Sequence, residues 1–231
     1  MTVSVFLNYP GPESAAGALE SAFTSAALDG LRSANGLRFV ETYTPAPGAV
    51  PEFDEGDRPA LIVELNLDEP EDAAGLLATT EFRDALGIGE HGPATVDVFH
   101  TAHFPLPDHI EPPPRTAALS FVVRYFRPAP DEAAFIAFYT ANHPILLARF
   151  PAIRNVLCYL PVGIELPEGV NDSGAFFGNE VVFDDLDALN AALASDVLPE
   201  LRAEGRTFPP YGHSRHHAMQ RRRVHSRDSR D

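Results

Sequence analysis

Lysine is missing from the 231 residues, and all seventeen basic side chains are arginine. Schiff-base chemistry, pyridoxal phosphate attachment and a lysine-bearing phosphate loop all need an amine, so all three are excluded. Cysteine occurs once, at Cys158, which leaves no intramolecular disulfide and fits a reducing compartment. No apolar run approaches the roughly eighteen residues that cross a bilayer, and the start, MTVSVFLNYP, lacks the basic residues and long apolar stretch of a signal peptide. The expectation is a cytoplasmic protein with no membrane partner. The chain reads as having neither a glycine-rich dinucleotide fingerprint nor a G-x-S-x-G elbow. Cofactor-dependent redox chemistry and serine hydrolysis lose support accordingly.

Positive charge is also scarce. The formal net charge is −16, the wrong sign for a phosphate backbone, so no nucleic-acid partner is expected. Five of the seventeen arginines fall within residues 221–231, RRRVHSRDSRD, leaving twelve against thirty-one acids in the body. That basic end reads as a solvated tail.

What the chain does have is a repeat. At a shift of 116 positions Ser4 falls on Ser120, Tyr9 on Tyr125, Arg38 on Arg154, Tyr43 on Tyr159, Asp68 on Asp184, Leu77 on Leu193 and His100 on His216. Each half reads strand, helix, strand, strand, helix, strand. In the first half these are VSVFLNY, a helix over 13–32, LRFVETYTP, LIVELNL, a helix over 69–86 and TVDVFHTAHF. In the second they are SFVVRYF, a helix over 131–150, IRNVLCYLP, NEVVF, a helix over 185–204 and YGHSRHHAM. PLPDHIEPPPR, with five prolines, marks the boundary. The expectation is an α+β fold of two tandem ferredoxin-like βαββαβ domains, 1–113 and 114–220. Each would have one uncovered sheet face, cured by packing sheet to sheet within the chain.

The helix segment FIAFYTANHPILLARFPAIRNVLCY and the closing FDDLDALNAALASDVLPELRAEGRTFPPY resemble the EthD-like branch of the dimeric α/β-barrel superfamily. The resemblance covers nearly all of 117–220, whereas the first half matches the architecture only, with Ala27 where His143 stands in the second. It implies two sheets closing into an α/β barrel around a ligand cavity, a task usually shared by two chains, and leaves a homodimer open. The superfamily hosts isomerases, polyketide cyclases, cofactor-free monooxygenases, haem enzymes and members without known activity, so fold does not choose among them.

His143 is the leading catalytic candidate, on a helix face with Phe135, Tyr139, Leu146 and Phe150, where an imidazole would titrate near neutrality and move a proton. Tyr139, one turn earlier, would orient a carbonyl or carboxylate. His100 and His216 are paired by the repeat and join as catalytic candidates, with alternation placing His103, His213 and His217 on the opposite strand face. Arg124 and Arg154 are candidates for holding a carboxylate, with Tyr125 and His213 completing the substrate-binding set. Strand alternation splits the His213, His216, His217 cluster, and no ligand pair has zinc spacing, so no metal is expected. Beyond superfamily precedent nothing singles out haem, so the expectation is no cofactor. Cys158 reads as buried packing. The functional expectation is a cofactor-free isomerase or lyase moving protons on a small unsaturated carboxylic acid or aromatic ring-fission product. An aromatic or polyketide cyclase or dehydratase and a non-catalytic ligand-binding protein are the alternatives.

Overall fold

The computed structural model describes residues 1–48, 58–107 and 113–227. Eight strands run in chain order: β1 (Thr2–Tyr9), β2 (Leu37–Pro45), β3 (Leu61–Leu67), β4 (Thr95–Phe104), β5 (Leu119–Phe126), β6 (Asn155–Pro161), β7 (Ala175–Phe183) and β8 (His213–Ser226). They form a closed antiparallel barrel in the order β1-β3-β2-β8-β5-β7-β6-β4. The helices flank it: α1 (Ala16–Ala22) continues through a π-helical turn (Phe23–Ala27) into α2 (Leu28–Leu31), and α3 (Pro70–Leu77) and α4 (Thr80–Leu86) complete the first half. The second half carries α5 (Glu132–Leu147), α6 (Leu186–Leu193) and α7 (Val197–Gly205). Closure comes from edge pairing as well as facing sheets. β2 hydrogen-bonds β8 and β4 hydrogen-bonds β6, so no strand edge is left open.

Nearly every residue of β1, β3, β5 and β7 is buried, because one face of each strand meets helices and the other meets the barrel interior. The outward faces build two apolar cores. One joins Val3, Val5, Leu7 and Leu65 to Phe23, Leu31, Leu76 and Phe82. The other joins Val123, Tyr125, Phe177 and Val181 to Phe135, Tyr139, Leu189 and Leu201. Period-two polar positions that alternation would assign to water, Ser4, Glu64, Ser120 and Glu180, instead point inward and are buried.

Residues 116 apart take matching places through three strands of each half: Ser4 pairs Asn66 as Ser120 pairs Val182, and Glu41 pairs Glu64 as Leu157 pairs Glu180. The last strands break the register. Ser4 pairs Phe99 but Ser120 pairs Met219, 120 positions on. His216 therefore takes the place of Val96, and His100 that of Gln220, so the expected equivalence of His100 and His216 does not hold. The supposed solvated tail is also corrected. β8 continues to Ser226, pairing Arg221 with Tyr43 and Arg223 with Glu41.

The barrel is filled at its centre. Arg115, from the end of the proline-rich connection, enters it and donates to Glu41, Glu64 and Glu180 and to the Tyr159 hydroxyl. Ser4 and Tyr43 donate to Glu64 at 2.6 Å, Ser120 donates to Glu180 at 2.6 Å, and Arg221 and Arg223 both reach Glu41 at 2.7 Å. Three carboxylates thus face three guanidinium groups. Burial pushes the Glu64 carboxyl up, but Arg115 and the Ser4 and Tyr43 hydroxyls outweigh it and hold it below the usual carboxylate range.

Candidate functional site

A cavity of about 290 Å³ lies outside the barrel, between the second-half sheet and α5, α6 and α7. It is lined by Phe121, Val123 and Tyr125 of β5, His143 and Leu147 of α5, Leu201 of α7, Phe208 and Tyr211 of the following loop, and His216 of β8. The expected ligand space inside the barrel is therefore not where His143 sits.

The helix that presents His143 begins at Asp131, whose carboxylate caps Ala134 N at 2.8 Å. Its buried stripe, Phe135, Tyr139 and Leu147, packs on the sheet. Pro144 lies inside the helix and removes the amide that would bond one turn back. His143 Nδ1 contacts the Glu204 carboxylate of α7, with both side chains nearly buried. The Tyr139 ring stands 4.5 Å from the imidazole and the Phe208 ring 5.2 Å, centroid to centroid. A carboxylate on Nδ1 fixes the tautomer and leaves Nε2 as the basic nitrogen. His216 stacks on Phe121 at 5.9 Å. Burial first, then the neighbouring His217 and His143, lowers its pKa to about 4, so it is a neutral imidazole near pH 7. Burial raises the phenols of Tyr125 and Tyr139, which lie against each other, and keeps both protonated.

Of the sequence candidates, His143, Tyr139, Tyr125 and His216 come together here. His100 does not: it lies on β4 between Val3 and Leu160, with a buried, unpartnered Nδ1. His213 stacks on Phe126 at 4.7 Å, near the barrel mouth. Arg154 is an exposed surface residue paired with Asp184, and Arg124 points into the barrel over Phe6 and Tyr159. Neither arginine lines the His143 cavity, whose cationic residues are Arg202 and Arg206. Glu204, Phe208 and Tyr211 were not read as site residues; they lie in the stretch taken as a closing helix and strand, and no local spacing marks them. Cys158 is buried, and burial raises its thiol. Among the described residues no group of three or more His, Cys, Asp or Glu converges to hold a metal ion. Gly87 to Gly92 does have the spacing G-x-G-x-x-G, but it follows α4 and precedes β4, the reverse of a dinucleotide fingerprint's strand-to-helix setting.

The eight strands of one chain thus close an α/β barrel that carries a sheet–helix cavity on its outer side. Solved structures agree at the level of fold. An anthrone oxidase-like protein matches with a TM-score of 0.60 at 17% identity, over 96% of this chain and 93% of its own. A monooxygenase candidate from Lactobacillus acidophilus matches at 0.51 and 9% identity, over 95% and 93%. A mutant chlorite dismutase from Candidatus Nitrospira defluvii matches at 0.50 and 13%, over 95% and 91%. By sequence no known family and no curated protein matches the chain.

Proposed function

We propose that the sheet–helix cavity is the active site of a cofactor-free proton-transfer enzyme, an isomerase or lyase acting on a small unsaturated acid or aromatic-derived carbon acid. The observation that carries this is the His143–Glu204 pair set in the wall of an aromatic pocket. His143 Nε2 takes a proton from carbon while Glu204 steadies the imidazolium that forms. Charge then builds on the substrate's oxygen. Neutral His216 and the Tyr125 hydroxyl are the donors in the cavity lining available to it. Return of the proton to another carbon completes an isomerisation, and expulsion of a leaving group completes an elimination. Arg202 and Arg206 take over the carboxylate-holding role first assigned to Arg124 and Arg154. We also read the chain as a duplicated ferredoxin-like unit of the EthD-like branch; the register kept through three strands of each half supports the duplication.

The anthrone oxidase-like neighbour favours a second outcome of the same first step. A carbanion formed from anthrone and combined with dioxygen gives anthraquinone and water, with the methylene carbon oxidised and oxygen reduced.

Anthrone and styrylacetic acid serve as probes, each with an acidic C–H. Deuterium uptake at that carbon under nitrogen, followed by NMR, should be accelerated by the wild type and fall about 10²–10⁴-fold per folded molecule in His143→Ala, compared at a temperature where the melting curve shows the variant folded. Exchange no faster than in buffer, or unchanged in His143→Ala, removes the enzymatic reading and leaves a binding protein. His143-dependent anthraquinone formation in air selects oxygenation over isomerisation. A carboxylate-held imidazole could also hold a haem iron, so a His143-dependent visible band on adding haemin would replace the cofactor-free reading.

A further inference from the structure

One mouth of the barrel holds a second cavity, of about 660 Å³, ringed by the ends of six strands and floored by Arg124. This space is separate from the sheet–helix cavity, sharing no lining residue with it. The guanidinium of Arg124 sits among three aromatic rings, its Cζ 4.6 Å from the Phe6 ring centroid, 4.7 Å from Tyr159 and 5.8 Å from Phe99. Gly178 makes this possible: a Cβ there would come within 2.7 Å of Arg124 Nη1. Where β5 and β7 pair Arg124 with Gly178, β1 and β3 pair Asn8 with Ile62, so the cradle exists once per chain.

Arg124 is 8% exposed, and among the described residues its only hydrogen bond runs from Nη1 to its neighbour's carbonyl, Val123 O, at 3.1 Å. Nη2 is buried with no partner. A desolvated guanidinium edge without an acceptor is costly, and its fork suits a carboxylate. The acid on the facing wall, Asp97, hydrogen-bonds Asn8 at 2.9 Å and Ser173 at 2.7 Å and acts on Arg124 only as a nearby charge, with no hydrogen bond between them. Ile62, Val122 and Phe126 supply apolar wall, and the volume falls within the ~300–1,000 Å³ of small-ligand sites.

We propose that this mouth is a second ligand site, taking an apolar organic carboxylate whose acid group meets Arg124 Nη2 and whose hydrocarbon body lies against Ile62, Val122 and Phe126. The site does not depend on the His143 cavity being catalytic. Calorimetric titration of the full chain with sodium 1-naphthoate and with neutral 1-naphthylmethanol tests it. Naphthoate should bind the wild type once per chain and more tightly than the alcohol. It should bind Arg124→Met about tenfold more weakly or worse and His143→Ala as tightly as the wild type. Equal binding of acid and alcohol, undiminished binding to Arg124→Met, or a loss confined to His143→Ala would each overturn the assignment. Should Arg124→Met not fold, Val122→Trp fills the cavity from its wall and should abolish naphthoate binding; retained binding refutes the site.

Discussion

A buried histidine stacked on Phe121, with two further imidazoles near it, is poorly placed to carry charge, which is why burial, His217 and His143 bring the His216 pKa down from 6.5 to about 4. Because the folded value is depressed, the stability His216 contributes is present above pH 6.5. It is lost as the pH falls from there toward 4, where the unfolded chain takes up a proton that the folded one resists. His216→Gln should flatten the decline of melting temperature across that window, as read by thermal unfolding at half-unit steps. An unchanged slope would mean that other groups set it. His143 was legible in the sequence because helical spacing set it on one face with Phe135 and Tyr139. Its partner was not: Glu204 is sixty-one residues away, and only the packing of α7 against α5 brings the two together. Glu64 and Glu180 did leave a signal, lone carboxylates 116 apart in the apolar runs LIVELNL and NEVVF. A polar residue inside a continuous apolar strand can mark a filled barrel interior as readily as an exposed face.

Among the elements, the strands were the most legible. β2, β3 and β4 begin and end where the alternation and the flanking turn residues place them. β8 was the least legible, because arginines in its second half resemble a solvated terminus until their partners are known. Arg221 and Arg223 end on Glu41, itself inaccessible to solvent. A chain ending at Gln220 would strip Phe39–Tyr43 of their β8 partners, leaving only β3 beside them, and take two of the three arginines from that carboxylate. Stripping a buried carboxylate of its partners costs about 3–5 kcal/mol, whereas a frayed tail can be removed at almost no cost. Urea unfolding of the truncated chain should therefore show a clearly lower midpoint. An unchanged midpoint would return 221–226 to the status of a tail.

At the scale of the molecule, one side chain from the connection between the halves joins both. Arg115 binds Glu41 and Glu64 from the first array and Glu180 from the second, within a barrel closed only by strand pairs that cross between the arrays. The halves should consequently unfold in one transition, and Arg115→Met should lower the stability of the whole by about 3–5 kcal/mol at neutral pH, since three buried carboxylates would then lose a shared counter-charge. The pH dependence separates this account from simple loss of packing. Arg115, with the Ser4 and Tyr43 hydroxyls, holds Glu64 below its ordinary 4.5, so in the wild type the pair's contribution is full above that value and is lost as the pH falls through the lower folded one. In Arg115→Met the carboxylates are free to take up protons at higher pH, which relieves their burial as charges. The gap between variant and wild type in urea midpoints should narrow from pH 7.5 to pH 4. A gap of constant size would assign Arg115 to packing alone, and two separate transitions in the wild type would show that the halves are not coupled through it.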